Sequence, residues 1–217
     1  MRKGIFISFE GIDGSGKTTQ RERLRQNLVN DGHSVVIAQE PGGTRLGHRI
    51  REILLDTANQ DLRPISELLL YFASRAQNID EVIIPALGAC KIVIVDRFTD
   101  ATLAYQGYGR NLGVETVRTI ERITCGGVQP DLTLLLDIDP EIGIRRALTR
   151  NETEIQDESR MEREDREFFC RVRDGYLELA AQEPDRIKII NARKTVDEIE
   201  TEILATVEPL FSTLDAG

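Results

Sequence analysis

The chain is organised around the segment Gly11-Ile12-Asp13-Gly14-Ser15-Gly16-Lys17-Thr18-Thr19. A largely apolar run at 5–9 precedes it and a helical pattern follows from about Lys17, which gives the order strand, glycine-rich loop, helix. In that context the spacing G-x4-G-K-T is typical of the P-loop, whose backbone N–H groups bind phosphate oxygens. We therefore predict a nucleotide phosphate site formed by all nine residues, with Lys17 at the terminal phosphates and the Thr18 hydroxyl on Mg2+.

Length, composition and charge limit the class of protein. The 217 residues fit one domain, 1–217, with a small lid insert at about 150–160. The formal net charge of −9 argues against a nucleic-acid-binding surface, which would show a basic stripe. The three cysteines are scattered, and neither a signal segment nor a membrane-spanning apolar run is present in the sequence. We expect a cytoplasmic protein that binds neither membrane nor nucleic acid.

The apolar pattern predicts strands that alternate with helices. Nearly continuous apolar runs at 35–38, 92–95 and 132–136 are typical of parallel strands buried on both faces. The alternation predicts an α/β fold with a parallel sheet and helices on both of its faces. The predicted strands are 5–10, 35–38, 92–95, 132–137 and 187–190; the predicted helices are 17–30, 46–56, 64–87, 101–106, 114–124, 140–150, 161–181 and 196–210. Pro85 should kink or shorten its helix, and the polar segment 151–160 predicts a mobile loop.

Polar residues follow the ends of the predicted strands, where such sheets bind their ligands. Asp96 ends a buried strand near the P-loop and could hold Mg2+ through water. Arg97 comes next, and its planar guanidinium suits bidentate binding of a phosphate. A salt bridge at the strand end is the structural alternative. The P-loop in the same sheet favours the catalytic interpretation.

Arginines are concentrated around the predicted lid. Arg146 and Arg150 lie four residues apart on one helix face, and Arg160, Arg163 and Arg166 follow the loop. A solvated charged face is the ordinary explanation for such a run. We favour a role for Arg150, Arg160 or both over the phosphates, because a transferring phosphoryl group requires cations around its equatorial oxygens.

Four further residues could contact a base or a sugar, although their pattern alone favours a structural role. Phe72 lies on the apolar face of its helix, and Arg75 lies near the same face three residues on. Tyr105 and Gln106 offer hydroxyl and amide groups, but they could equally form a turn.

Taken together, these segments resemble bacterial thymidylate kinases. The likeness extends over nearly the whole chain, whereas a P-loop alone would indicate only a superfamily. The resemblance implies a three-layer nucleoside monophosphate kinase fold with a five-stranded parallel sheet. It also implies a homodimer that transfers the γ-phosphoryl group of ATP to dTMP with Mg2+, giving dTDP and ADP. The matching segments are 9–19, 40–44, 96–98, 104–107, 130–133 and 175–180.

The same resemblance implies roles for individual residues. Arg97 would bind the acceptor phosphate. Gln106, beside Tyr105, is a further substrate-binding candidate because of its amide group. Asp13 would contact the sugar 3′-hydroxyl, Phe72 would stack on thymine, Arg75 would read its exocyclic oxygen, Thr102 would lie near its ring nitrogen, and Tyr105 would crowd the sugar 2′ position.

The chain also resembles one subgroup of this family and departs from the family in places. Gly14 and Ser15 follow Asp13 where another subgroup has an arginine, which suggests that the catalytic arginines come from the lid. That arrangement suits Arg146, Arg150 and Arg160. The departures are Gln39 where an arginine is common, Ser159 where an aspartate usually precedes the lid arginine, and a longer lid at 151–158.

Two other functions fit a P-loop. One is a kinase for another small acceptor; a nucleoside acceptor would require a base near its 5′-hydroxyl, for which Glu10 and Glu40 are candidates. The other is a nucleotide-dependent switch, but a guanine-binding switch would usually carry an Asn-Lys-x-Asp segment, which the sequence lacks.

Overall fold

The computed structural model describes residues 4–151, 160–161 and 164–215. Its strands are β1 (Ile5–Glu10), β2 (Val35–Gln39), β3 (Ile92–Asp96), β4 (Leu132–Asp137) and β5 (Ile187–Asn191). They form one parallel sheet in the order β2-β3-β1-β4-β5. This confirms the predicted α/β fold, and every strand agrees with its prediction to within one residue.

The central strand determines where the P-loop emerges. All six residues of β1 are buried, because β3 and β4 flank it and helices cover the sheet. In the sheet register Phe9 lies beside Asp96, which in turn lies beside Gln39 on β2. The carboxyl ends of three neighbouring strands therefore meet at one edge, where the loop after β1 begins.

Helices make up most of the remaining described chain. None of the helices in the described ranges is long and apolar enough to cross a membrane. The helices are α1 (Lys17–Asn30), α2 (Arg45–Leu55), α3 (Pro64–Asn78), α4 (Ile84–Gly88), α5 (Thr99–Thr102), α6 (Val114–Thr124), α7 (Pro140–Asn151), α8 (Arg166–Gln182) and α9 (Val196–Asp215), with π-helical segments at Ile79–Ile83 and Leu103–Gly109.

The long helix predicted at 64–87 is interrupted rather than shortened. It consists of α3, the π-helical segment Ile79–Ile83 and α4, and it continues past Pro85. The Ile84 N–H donates to the Ile79 carbonyl, five residues back. The helix is therefore not shortened at Pro85, because the wider π turn before it accommodates a residue that has no N–H to give.

Other boundaries also differ from the prediction. The helix predicted from residue 161 begins only at Arg166, because Asp165 caps it by accepting the Phe168 N–H at 2.7 Å. The piece predicted at 101–106 is α5 followed by the π-helical segment Leu103–Gly109, and α9 extends five residues beyond 210. Most of the loop predicted at 151–160 lies outside the described residues.

Candidate active site

The loop after β1 forms the floor of the candidate site. Gly11 and Gly16 have φ angles of 130° and 93°, in the region that favours glycine. A Cβ at Gly11 would lie 2.5 Å from the Leu136 carbonyl oxygen, so the loop can pass β4 only with glycine there. At Gly16, beside the N-terminus of α1, no described atom lies within 4 Å of the Cβ position. This open, amide-rich concavity suits a phosphate.

Lys17 lies inside the loop. Its Nζ donates to the carbonyl oxygens of Gly11 at 3.0 Å and Ile12 at 2.9 Å. Burial, together with repulsion by the Arg97 guanidinium, lowers the pKa of Lys17 to about 8. The buried Ser15 hydroxyl has no hydrogen-bond partner among the described residues. A bound phosphate would supply acceptors for both groups.

Oxygen ligands for a divalent cation lie beside the loop. Thr18 is exposed in the first turn of α1, and the side chain of Asp96 is 19% exposed with one oxygen 3.1 Å from Arg21 Nη1. Within the described ranges, no group of three or more histidine, cysteine, aspartate or glutamate side chains could hold a metal ion. One hydroxyl and one carboxylate suit Mg2+, which usually keeps water and substrate phosphate oxygens as ligands.

Arg97 connects the loop to the rest of the cleft. It has a φ of 69°, which residues other than glycine rarely adopt. Its guanidinium donates to the Gly11 carbonyl at 2.9 Å and to Asp13 at 2.7 Å, and it lies 4.7 Å from the Tyr105 ring centroid. The Tyr105 hydroxyl donates to the same Asp13 carboxylate at 3.4 Å. Three predicted substrate-binding residues thus form one cluster at the mouth of the P-loop.

Arg75 occupies a second, fully buried cluster. It is 2% exposed, and its Nε pairs with the carboxylate of Glu40. Its Nη1 donates to Thr102 at 2.9 Å and its Nη2 to the Phe98 carbonyl at 3.1 Å. The Phe72 ring centroid lies 5.1 Å from the guanidinium carbon. The structure therefore brings together Phe72, Arg75 and Thr102, which the family resemblance assigns to thymine.

Gln106 faces a buried carboxylate. Its Nε2 donates to Glu67 at 2.8 Å, which leaves the second N–H and the amide oxygen for other partners. Glu67 also accepts from Arg110 at 3.2 Å and from Arg160 at 2.6 Å. One acid therefore joins α3, the π-helical segment Leu103–Gly109 and the chain that follows the predicted lid.

Arg160 does not extend over the P-loop in this structure. Its Nε donates to the Leu54 carbonyl at 2.5 Å and its Nη2 to Glu67, so the side chain is buried against α2 and α3. Charge-assisted hydrogen bonds to the buried Glu67 carboxylate hold it away from the position that the sequence predicted.

Among the lid-flanking arginines whose side chains the structure describes, Arg146 borders the P-loop. A Cβ at Gly14 would lie 3.1 Å from the Arg146 Cβ. The Arg146 Nη1 donates to the Ala192 carbonyl at 3.4 Å, and the side chain is otherwise exposed. The side chains of Arg150 and Arg163 lie outside the described part of the chain.

The sequence did not indicate the partners of two buried acids. The pattern placed Glu10 and Glu40 at strand ends and suggested them only as bases. In the structure Glu40 neutralises Arg75, and Glu10 accepts from the Tyr176 hydroxyl at 2.8 Å. A buried arginine requires a buried acid, and this rule could have suggested the pair of Glu40 and Arg75. No local sequence signal indicates the contact between Glu10 and Tyr176.

Comparisons with known proteins agree with the geometry. A family model described as thymidylate kinase matches residues 9–203. The thymidylate kinase of Maridesulfovibrio salexigens is 51% identical over 205 residues, which cover 94% of each chain. That of Nitratidesulfovibrio vulgaris is 46% identical over 210 residues, covering 96% of this chain and 98% of the relative. A crystal structure of thymidylate kinase from Ehrlichia chaffeensis superimposes with a TM-score of 0.74 at 34% identity, covering 95% of this chain and 99% of that one.

Proposed function

The chain belongs to the thymidylate kinase family, and we propose on this basis that it is an ATP-dependent dTMP kinase. It uses Mg2+ and transfers the γ-phosphoryl group of ATP to dTMP, giving dTDP and ADP. Phosphorylation of dTDP then yields dTTP. The observation that carries the proposal is the position of Arg97, whose guanidinium contacts both the P-loop carbonyl of Gly11 and the carboxylate of Asp13.

The P-loop is proposed to hold the donor phosphates. Lys17 would exchange its two loop carbonyls for phosphate oxygens, and the Ser15 hydroxyl would gain a partner. Thr18 and Asp96 would hold Mg2+, which neutralises charge on the donor phosphates. These groups lie on rigid elements. They would lower the barrier to phosphoryl transfer chiefly through positioning and electrostatics.

Arg97 is proposed to bind the acceptor phosphate. The acceptor needs no general base, since the second pKa of a phosphate monoester is about 6 and its oxygen is mostly ionised at neutral pH. The requirement is to bring two anions together. Arg97 and Lys17, which both donate to the Gly11 carbonyl, can do so, and Arg146 and Arg150 are the lid candidates for the remaining charge. Arg160 could contribute only after leaving Glu67.

The second cluster is proposed to recognise thymine. The described contacts of Arg75 engage three of its five N–H groups, which leaves donors for an exocyclic oxygen. Phe72 would stack on the ring, Thr102 would lie near the ring nitrogen, and Gln106 would contact the nucleoside through its side-chain amide. Asp13 would bind the sugar 3′-hydroxyl, with Tyr105 beside the 2′ position.

A nucleoside acceptor is disfavoured because neither candidate base is free to act. Glu10 is fully buried and accepts hydrogen bonds from Ser8, Phe98 and Tyr176. Glu40 is buried in its ion pair with Arg75. A general base must reach the proton that it abstracts, and both carboxylates are instead engaged within the protein.

The direct test is an acceptor panel in a coupled ADP assay. The assay would compare dTMP, dUMP, dGMP and thymidine, each with and without Mg2+. We expect dTMP to give the highest kcat/KM, with activity dependent on Mg2+. Faster turnover of thymidine, or ADP release that is independent of any acceptor, would reject the proposal.

We further propose one catalytic domain per chain, a lid insert at about 150–160, assembly as a homodimer and a cytoplasmic location. The single sheet and its continuous hydrophobic core support one domain. Large apolar side chains exposed on α2, α3 and α6 support dimerisation. Within the described residues no disulfide joins the three cysteines, as expected in a reducing compartment.

A further inference from the structure

We propose that Glu10 is a positioning residue that fixes both the backbone and the side chain of Arg97, using the Phe98 amide and the Tyr176 hydroxyl. The inference rests on the proposed role of Arg97 as the residue that binds the acceptor phosphate. It adds Glu10 and Tyr176 to the residues on which dTMP binding depends, although neither has to touch the nucleotide.

The first contact holds the backbone. Arg97 has a left-handed backbone conformation, with a φ of 69°, which a residue with a side chain keeps only where its surroundings impose it. On one side of this residue the Arg97 N–H donates to the Phe9 carbonyl at 3.0 Å. On the other side the Phe98 N–H donates to Glu10 Oε1 at 2.6 Å. The end of β1 therefore holds the peptide groups on both sides of Arg97.

The second contact holds the side chain. The Tyr176 hydroxyl donates its hydrogen to Glu10 Oε2 at 2.8 Å. The same hydroxyl oxygen accepts from Arg97 Nη1 at 3.3 Å. Because the hydroxyl has only one hydrogen, its bond to Glu10 keeps the oxygen turned toward Arg97 as an acceptor. The carboxylate thus orients the tyrosine, and the tyrosine helps to aim the guanidinium at the cleft.

The burial of Glu10 indicates that these contacts matter. Its exposed fraction is 0%. Burial is the larger cause, and the negative charge of Asp100 the smaller one, of a rise in the pKa of Glu10 to about 7. Arg97, the Phe98 amide and the Tyr176 hydroxyl favour the ionised form. One oxygen of this buried acid binds the amide that follows Arg97, and the other binds the tyrosine that contacts the Arg97 guanidinium. We expect this arrangement of a group that orients the arginine.

Two variants separate this role from simple core packing. Glu10→Gln retains the size of the side chain but has one acceptor oxygen for two opposed donors, and Tyr176→Phe removes only the connecting hydroxyl. Equilibrium titrations would measure Kd for dTMP and for MgATP. We expect each variant to raise Kd for dTMP about tenfold, to leave Kd for MgATP within about twofold, and to have no further effect on dTMP binding in an Arg97→Ala background.

Ser8→Ala is the matched control. It removes another donor to Glu10, at 2.8 Å from Oε1, without touching Arg97, and we expect dTMP binding within about twofold of the wild type. An unchanged dTMP Kd in Tyr176→Phe, or an equal loss with and without Arg97, would overturn the inference. Failure of the wild type to bind dTMP would instead reject the proposed function.

A crystal structure of unliganded Tyr176→Phe gives a readout that needs no substrate and remains decisive if Glu10→Gln does not fold. We expect the Arg97 guanidinium to leave the Gly11 carbonyl and the Asp13 carboxylate. An Arg97 side chain that keeps both contacts would refute the inference.

Discussion

Two arginines with opposite surroundings illustrate how single residues determine this site. Arg75 is sealed in the protein and neutralised by Glu40, whereas the side chain of Arg97 is 18% exposed and faces the P-loop. A guanidinium cannot lose its proton at accessible pH, so both remain charged. Burial therefore separates Arg75, which we propose reads a neutral base, from Arg97, which we propose binds a phosphate.

Arg97→Ala tests the more exposed of the two. The variant removes the cation proposed to hold the acceptor phosphate, in a site where water competes weakly, so we expect kcat/KM for dTMP to fall by about a thousandfold. Steady-state kinetics with circular dichroism would show whether the fold is retained. Arg118→Ala is the control, because Arg118 lies on α6 and its salt bridge, to Glu183, is long at 3.7 Å. A loss below tenfold would mean that another group binds the acceptor phosphate.

Arg75→Leu tests the buried ion pair. Removing the guanidinium leaves the Glu40 carboxylate buried without a cation, which should destabilise the fold by about 3–5 kcal/mol. Adding Glu40→Gln removes the uncompensated charge and should restore about 2 kcal/mol or more. Urea unfolding would measure both values. A double variant no more stable than Arg75→Leu would show that the charge of Glu40 is not the source of the loss.

At the scale of elements, the accuracy of the sequence prediction depended on how local the physical signal was. The strands could be predicted to within a residue because each is a short apolar run between turn signals. The π-helical segments could not, since their apolar spacing resembles that of an α-helix and the wider hydrogen bonds depend on packing. The start of α8 was missed because Asp165 outweighed the helical pattern that precedes it.

The residues of the candidate site likewise divide into those with a local sequence signal and those without one. The P-loop and Arg97 could be identified because their residues are contiguous or end a recognisable strand. Roles for Phe72 and Thr102 could be proposed only from the family resemblance. The contacts of Arg160 with Glu67 and of Tyr176 with Glu10 join residues separated by 93 and 166 positions. Such pairs form only when whole elements pack, so no spacing rule could predict them.

The packing of α8 on the π-helical segment Leu103–Gly109 gives a prediction at this scale. Gly175 lies in α8, and a Cβ there would come within 2.6 Å of the Tyr108 ring. Helix propensity alone would make Gly175→Ala stabilising by about 1 kcal/mol, but we expect the overlap to lower Tm. It should also raise KM for dTMP, because the displaced segment carries Tyr105.

Gly88→Ala is the matched control for that variant. Gly88 ends α4, and apart from its chain neighbours and its own helix backbone no described atom lies within 4 Å of its Cβ position. We expect this substitution to leave KM unchanged and to raise stability by up to about 1 kcal/mol. Differential scanning calorimetry and steady-state kinetics on both variants would decide the matter. A higher Tm for Gly175→Ala would show that α8 and the π-helical segment tolerate a wider separation.

For the molecule as a whole, the distribution of charge matters more than its sum. The chain carries a net charge of −9, although it is proposed to bind two anionic nucleotides. Lys17 and Arg97 are concentrated at the carboxyl edge of the sheet, near the N-terminus of α1. Local cations and backbone dipoles outweigh distant surface acids, because exposed charges more than about 10 Å away are largely screened at 0.1 M salt. An acidic protein can therefore present a cationic cleft.

The exposed apolar residues are also a property of the whole molecule, and they lead to the prediction of a homodimer. They include Leu69, 52% exposed on α3, and Ile123, 80% exposed on α6. Leu46, Ile53 and Ile65 on α2 and α3 are also exposed. Because α3 packs beside both α2 and α6, we infer that these side chains share one surface, and large exposed apolar patches mark interaction sites. Leu69→Arg would place a charge in that surface, so we expect sedimentation-velocity ultracentrifugation to show a dimer for the wild type and a monomer for the variant. Ile189→Arg, at a side chain 48% exposed on the edge strand β5, should remain dimeric; dissociation in both variants, or in neither, would place the interface elsewhere.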